Sequence, residues 1–139
     1  MFKRIIAAVD GSEHSYNALR YAKGLAECFG ADLYLVHVFP HTSDMLGYDE
    51  YEKLVARREH AGQEVLQDAR QKLGETSVTV HEELLEGPEA EAILAVAETR
   101  QADLIVMGTR GLSTLQGLLL GSVSHKVMRH ATCPVMLSH

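Results

Sequence analysis

Positive charge is scarce in this chain. Its 13 lysines and arginines stand against 19 aspartates and glutamates, giving a formal net charge of −6. General nucleic-acid binding leaves a basic footprint, so that class is set aside. Any anion held here must be held locally, by backbone dipoles and one or two placed cations. Cysteine is nearly absent: Cys28 and Cys133 stand alone, with no CxxC pair. That excludes a disulfide framework, and reduced thiols in a cytoplasmic protein are expected. Long apolar runs are missing as well. None approaches the roughly 18 residues of a membrane span. The first run, Ile5–Val9, ends at Asp10. It is shorter than the roughly 7–15 residues of a secretory signal core, so neither a membrane nor a secretory route is expected.

Several catalytic and binding signatures are also absent. The eight histidines are scattered, although His37 and His41 straddle Pro40, and no convergent zinc set is legible. No Ser–His–acid constellation can be read. There is no Gly-Lys-Ser/Thr, which excludes a Walker loop, and no GxGxxG after the first apolar run, which excludes a dinucleotide fingerprint. Neither an internal repeat nor a low-complexity stretch occurs.

What remains is a chain of 139 residues, 46% hydrophobic and 23% charged, suited to one domain spanning 1–139 with a full core. Ile5–Val9 is apolar on both faces, as a central parallel strand would be. Asp10-Gly11-Ser12 is a turn, and Ser12 or Ser15 can cap the helix that follows. That helix carries Ala18, Leu19, Ala22, Leu25, Ala26 and Phe29 inward and stops at Gly30. Gly24 in its interior costs propensity and is expected to mark close packing.

Asp32–Phe39 is the second strand, ended by Pro40. His41 to about Tyr48 reads as a mobile loop. A long helix follows, with a stripe of Tyr51, Leu54, Val55, Arg58, Ala61, Val65, Leu66, Ala69 and Leu73, closed by Gly74. Val78–His81 alternates and is expected to be an edge strand, with Glu82, Glu83 and Glu86 forming a solvated margin. Gly87-Pro88 begins a helix with proline in its first turn. Leu104–Met107 is a fourth, buried strand, Val123–Arg129 a last helix, and Cys133–Ser138 a final strand that begins with its proline.

Five strands alternating with four helices predict a doubly wound open parallel sheet with helices on both faces. The order 3-2-1-4-5 puts the two most apolar strands at the centre and the third at an edge. Ligands bind at the carboxyl ends of the strands where the winding reverses. Those ends are Asp10 and Gly108.

A glycine-punctuated stretch leaves the fourth strand at that place: Gly108, Gly111 and, after nine more residues, Gly121-Ser122. Gly108 and Gly111 can take positive φ and let an anion approach the backbone. Gly121-Ser122 stands at a helix start, where free N–H groups and a hydroxyl can meet phosphate oxygens. Glycine loops also serve as plain turns, and both roles stay open on spacing alone. Arg110 is the nearest cation, either neutralising phosphate or solvated. Lys126 is expected to face solvent. Asp10 can accept from a ribose hydroxyl, sit near a metal, or simply cap its turn.

Ile5–Ser12, Ala18-Leu19, Leu35–Val38, Ala102–Gly111, Leu120–Ser124 and Cys133–Val135 together resemble small single-domain universal stress proteins of the UspA family. The likeness spans nearly the whole chain, and the Gly-x2-Gly-x9-Gly-Ser spacing is its diagnostic part. It matches the nucleotide-binding branch, since all three glycines and Ser122 are present. The resemblance implies that Ala8, Val9 and Asp10 line the adenosine end and that Val38 bonds adenine through its backbone. It implies that Met107 and Gly108 flank base and sugar. Arg110, Gly111, Gly121, Ser122, Val123 and Ser124 would surround the phosphates of ATP, with a divalent cation (Mg or Mn) bridging them. Leu115, Leu118, Leu119 and Leu120 suggest packing or a partner surface instead.

The last strand is short and apolar, and an apolar edge invites pairing. A homodimer through Val135–Ser138 is expected, as the resemblance also implies. The function expected is a cytoplasmic, ATP-binding, nucleotide-sensing stress-response module. Rivals are a slow ATPase, an enzyme that phosphorylates its own Ser113, Thr114 or Ser124, and an interaction protein with an empty site. Hydrolysis needs a group to orient water, and the sequence commits none to that job.

Overall fold

In the computed structural model, described for residues 1–42, 47–110 and 120–139, nine elements follow one another. They are β1 (Arg4–Ala8), α1 (Glu13–Phe29), β2 (Asp32–Phe39), α2 (Tyr48–Leu73), β3 (Val80–Glu86), α3 (Glu89–Thr99), β4 (Leu104–Gly108), α4 (Ser122–His130) and β5 (Val135–Ser138). The strands form one parallel sheet in the order β3-β2-β1-β4-β5, as expected. β1 and β4 lie side by side, so the chain winds outward from β1 in one direction and from β4 in the other.

Why β1, β2 and β4 read as continuous apolar runs is visible in the packing. Alternate residues feed opposite cores. Ile5, Ala7, Leu33, Leu35, Leu104 and Val106 pack with α1 and α2. Ile6, Tyr34, Val36, Val38, Ile105 and Met107 pack with α3 and α4. A strand covered on both faces has no polar side to show.

Ser12 caps α1 by accepting from the Ser15 N–H at 3.2 Å, and Gly30 ends the helix in the left-handed region at φ 67°. Pro88 stands as the N-cap of α3 instead of within its first turn. Cys133 and Pro134 precede β5, although the Pro134 carbonyl already accepts from Ile105 at 3.0 Å. Lys126, expected in solvent, is paired with Glu91 of α3 across the surface. The loop expected over His41–Tyr48 lies partly outside the described residues. Its start is fixed, with Arg58 donating to Thr42 Oγ1 at 2.9 Å and to the His41 carbonyl at 3.0 Å.

β3 corrects the sequence-based boundary. It begins at Val80 and continues through Glu82, Glu83 and Glu86, which pair with β2 up to Glu86 opposite Phe39. Backbone pairing does not require apolar side chains at an edge. Leu84 and Leu85 then face opposite ways, one into each core.

The close-packing glycine also lies elsewhere than expected. A Cβ on Gly24 would meet nothing within 4 Å. In α2 the buried stripe passes through Gly62, not the exposed Ala61. There a Cβ would stand 2.6 Å from Leu84 Cδ1 and 3.3 Å from His37 Cδ2. Gly108 is the tightest against backbone, since its Cβ would fall 2.7 Å from His14 Cβ and 2.9 Å from the His14 carbonyl carbon.

These contacts separate the glycines by sign. Gly24→Ala is expected to stabilise the protein by about 1 kcal/mol through helix propensity. Gly108→Ala is expected to destabilise it by about 1–3 kcal/mol, because rigid α1 backbone must shift. Urea midpoints at constant m-value check both.

Candidate nucleotide site

β1 and β4 are neighbours in the sheet and their connections lead in opposite directions, so their carboxyl ends mark the place where such a fold takes a ligand. β1 delivers half-buried Ala8, buried Val9 and half-buried Asp10. The Val9 N–H donates to the Val36 carbonyl at 2.9 Å, and His37 donates Nδ1–H to the Val9 carbonyl at 2.7 Å. His37 is thus a clamp on the β1 end. Asp10 Oδ1 accepts from the Ser12 N–H at 2.9 Å, across a turn that Gly11 makes at φ 86°. The turn role for Asp10 is therefore real, and it leaves the second carboxylate oxygen uncommitted by that bond.

On the neighbouring strands, Val38 and Met107 are buried one residue before the ends of β2 and β4. Gly108 is extended at the end of β4 and is not among the positive-φ glycines. It is small because the first turn of α1 lies against it. Gly111 lies outside the described residues, as do Ser113, Thr114, Leu115, Leu118 and Leu119. Arg110 is half-exposed at the point where the connection leaves.

That connection re-enters at Gly121, the N-cap of α4, with φ −74° and ψ 163°. The Gly121 N–H donates to the Thr109 carbonyl at 2.7 Å. Ser124, buried, donates its hydroxyl to the same carbonyl at 2.7 Å and lies 3.1 Å from the Gly121 carbonyl. Its hydroxyl proton is thereby engaged, and its contribution to the helix mouth is its N–H. Ser122 is exposed and Val123 half-buried.

α4 begins differently from the other helices. α1 has a serine cap, while α2 and α3 carry acids in their first turns. α4 has neither a side-chain cap bond nor an acid in its first turn. Among the described residues, then, no side-chain cap and no first-turn acid compensates the positive end of this helix dipole. Such an end is suited to an anion.

Two features escaped sequence reasoning. Glu89, first in α3, is half-buried, and its carboxyl titrates above its ordinary range, chiefly through burial and secondarily through Asp10. Its place follows from Gly87, whose N–H donates to the Phe39 carbonyl at 2.7 Å and so sets α3 over the end of β2. Asp10 and Glu89 therefore influence one another electrostatically, whereas the start of α4 is dipole-positive. Proline before an acid at a helix start was a signal, but only the fold brings that acid to Asp10. The second feature is Thr109, which lies inside the glycine stretch. It is 6% exposed, with Oγ1 3.0 Å from His14 Nδ1. A hydroxyl beside an imidazole resembles a nucleophile and its base. Here it is buried and turned onto α1. Among the described residues no group of three acids, histidines or cysteines could hold a metal.

The raised Glu89 titration carries a definite sign. Between the ordinary carboxylate range and its raised value, the native state keeps a proton that the unfolded chain has released. Stability contributed by this group therefore declines as pH rises through that window. Glu89→Gln is expected to remove that decline. Urea unfolding of both proteins across the acid range tests it, and a flat difference between the two profiles contradicts the assignment.

A model of the universal stress protein family matches residues 1–139. A universal stress protein of Thermus aquaticus is 44% identical over 138 residues, covering 99% of this chain and 98% of its own. A universal stress protein solved in complex with cAMP superposes at a TM-score of 0.77 and 26% identity, covering 99% and 97% of the two chains. The universal stress protein of Archaeoglobus fulgidus in complex with dAMP superposes at 0.72 and 25%, covering 100% and 98%. The fold and these likenesses agree, and the chain belongs to the universal stress protein family.

Proposed function

We propose that this chain binds ATP in the crevice between β1 and β4 and acts in the cytoplasm as a nucleotide-sensing, homodimeric stress-response module. The observation that carries it is the start of α4, which lacks both a side-chain cap and a first-turn acid. Phosphates would take the N–H groups of Ser122, Val123 and Ser124, with Arg110 and Gly111 on the other side. Ala8, Val9 and Asp10 would line the adenosine, Val38 would meet adenine through its backbone, and Met107 and Gly108 would flank base and sugar. Relatives solved with cAMP and dAMP support an adenine nucleotide as the class.

A divalent cation fits only as an ion held mainly by phosphate. No three-ligand protein site exists among the described residues, and the exposed Ser122 hydroxyl is the oxygen donor at the helix mouth. Such an ion would supply charge neutralisation to the triphosphate. Micromolar affinity corresponds to about −8 kcal/mol. One helix-end interaction contributes about 0.3–1 kcal/mol, up to about 2 when partly buried. Several N–H groups and the base contacts must therefore act together.

The dimer would form along β5. It is an outer strand of the sheet, with Val135, Met136 and Leu137 only half-buried within one chain. Adding a second copy there would satisfy backbone groups and cover apolar surface.

Ser122→Asp separates nucleotide binding from helix stability. An acid at the first position of α4 is expected to raise stability by about 0.3–1 kcal/mol through the dipole. It is expected to weaken ATP by at least about tenfold, through repulsion of the phosphates. Calorimetry with magnesium ATP and urea unfolding of the same samples give both readings. Undiminished ATP affinity in the variant, or no binding by the unaltered protein, refutes the site.

A further inference from the structure

Thr109 is where the mouth of α4, the first turn of α1 and the end of β5 meet. Its carbonyl accepts from the Gly121 N–H and the Ser124 hydroxyl, each at 2.7 Å. Its N–H donates to the Ser138 carbonyl at 2.8 Å, extending the ladder between β4 and β5. Its Oγ1 lies 3.0 Å from His14 Nδ1. The His14 ring stands edge-on to that of His139, with centroids 6.4 Å apart. Asn17, on the same helix, donates Nδ2–H to the His139 carbonyl at 2.8 Å. One stretch of α1 therefore grips both Thr109 and the residue that follows β5.

We propose that the Thr109–His14 contact couples the nucleotide crevice to the β5 edge, so that an occupied crevice tightens pairing with a second copy of the chain. This rests on the ATP-binding homodimer proposed above. Thr109 has one peptide group facing α4 and the other facing β5. It is buried and tightly surrounded, so it has little slack to absorb a displacement. Phosphate on the first N–H groups of α4 would fix Gly121 and Ser124 against the Thr109 carbonyl. Thr109 would then hold Ser138 more firmly, with His14 and Asn17 bracing it from α1. An edge already ordered loses less conformational entropy when another strand adds to it. Thr109 and His14 are positioning residues here, acting through α4 and β5. Linkage requires the effect to be mutual, so dimerisation must tighten ATP by the same factor.

The test measures the dimer dissociation constant of the full chain by sedimentation, with and without saturating magnesium ATP, alongside calorimetry. ATP is expected to tighten the unaltered dimer by about fivefold or more, whereas Thr109→Val and His14→Ala should respond by less than about twofold. Both variants should still bind ATP and still dimerise. Thr109→Ser, which keeps the hydroxyl, should restore the response. If Thr109→Val does not fold, His14→Ala and Thr109→Ser decide the matter alone. An unaltered protein that binds ATP and dimerises without any mutual effect overturns the coupling but leaves the proposed function standing. Full coupling in His14→Ala does the same. An unaltered protein that binds no ATP overturns both.

Discussion

One peptide carbonyl holds the candidate site in shape. The Thr109 oxygen accepts two donors at 2.7 Å, the Gly121 N–H and the Ser124 hydroxyl. Together they pin the start of α4 to the end of β4, across the whole connection from Arg110 to Leu120. Each such bond contributes about 1 kcal/mol net, but a buried acceptor stripped of its donors costs more than that. The loop closes on a fixed base, so the entropy of bringing its ends together is already offset before any ligand arrives. This clasp fixes the start of α4, which alone among the described helices has neither a side-chain cap bond nor an acid in its first turn.

The frame of the molecule was legible because its strongest signals are redundant. Ile5–Val9 and Leu104–Met107 are apolar at every position, which only a strand covered on both faces requires. Once those two are central, the order 3-2-1-4-5 and the crevice beyond Asp10 and Gly108 follow from handedness. The start of α4 at Gly121-Ser122 was legible for the same kind of reason, as a glycine and a hydroxyl preceding an amphipathic stretch.

What could not be read depends on contacts between distant parts of the chain. Glycine states that space or freedom is needed but not which. Gly24 needs neither within this chain, Gly62 needs space for Leu84, and Gly108 needs space for the backbone of His14. Glu82, Glu83 and Glu86 looked like a margin outside β3, because side-chain polarity masks a ladder that only backbone groups make. Glu89 carries no mark of its neighbourhood with Asp10, since the two are joined only by the way α3 sits over the end of β2. His14 and Thr109 are similarly remote in sequence, yet 3.0 Å apart.

The charge layout of the crevice explains how an acidic chain can be suited to an anionic ligand. Lysine supplies nothing at the α4 mouth, because Lys126 is drawn to Glu91. Under the proposed function main-chain dipoles would take that role, and they add no net charge to a protein at −6. Asp10 adds to burial in raising the Glu89 carboxyl, so the two acids feel one another, and such a pair would favour hydroxyl and amino donors and repel phosphate. Two like charges about 4 Å apart repel by about 1 kcal/mol in water and about 4 kcal/mol at the effective dielectric of a protein surface. A nucleotide is itself polar in the same sense, with donors on sugar and base at one end and oxyanions at the other. Insertion in the proposed direction puts phosphate on α4, and the reverse puts it on two carboxylates. Under the proposed function, orientation would be set by repulsion from these carboxylates as much as by attraction at the helix.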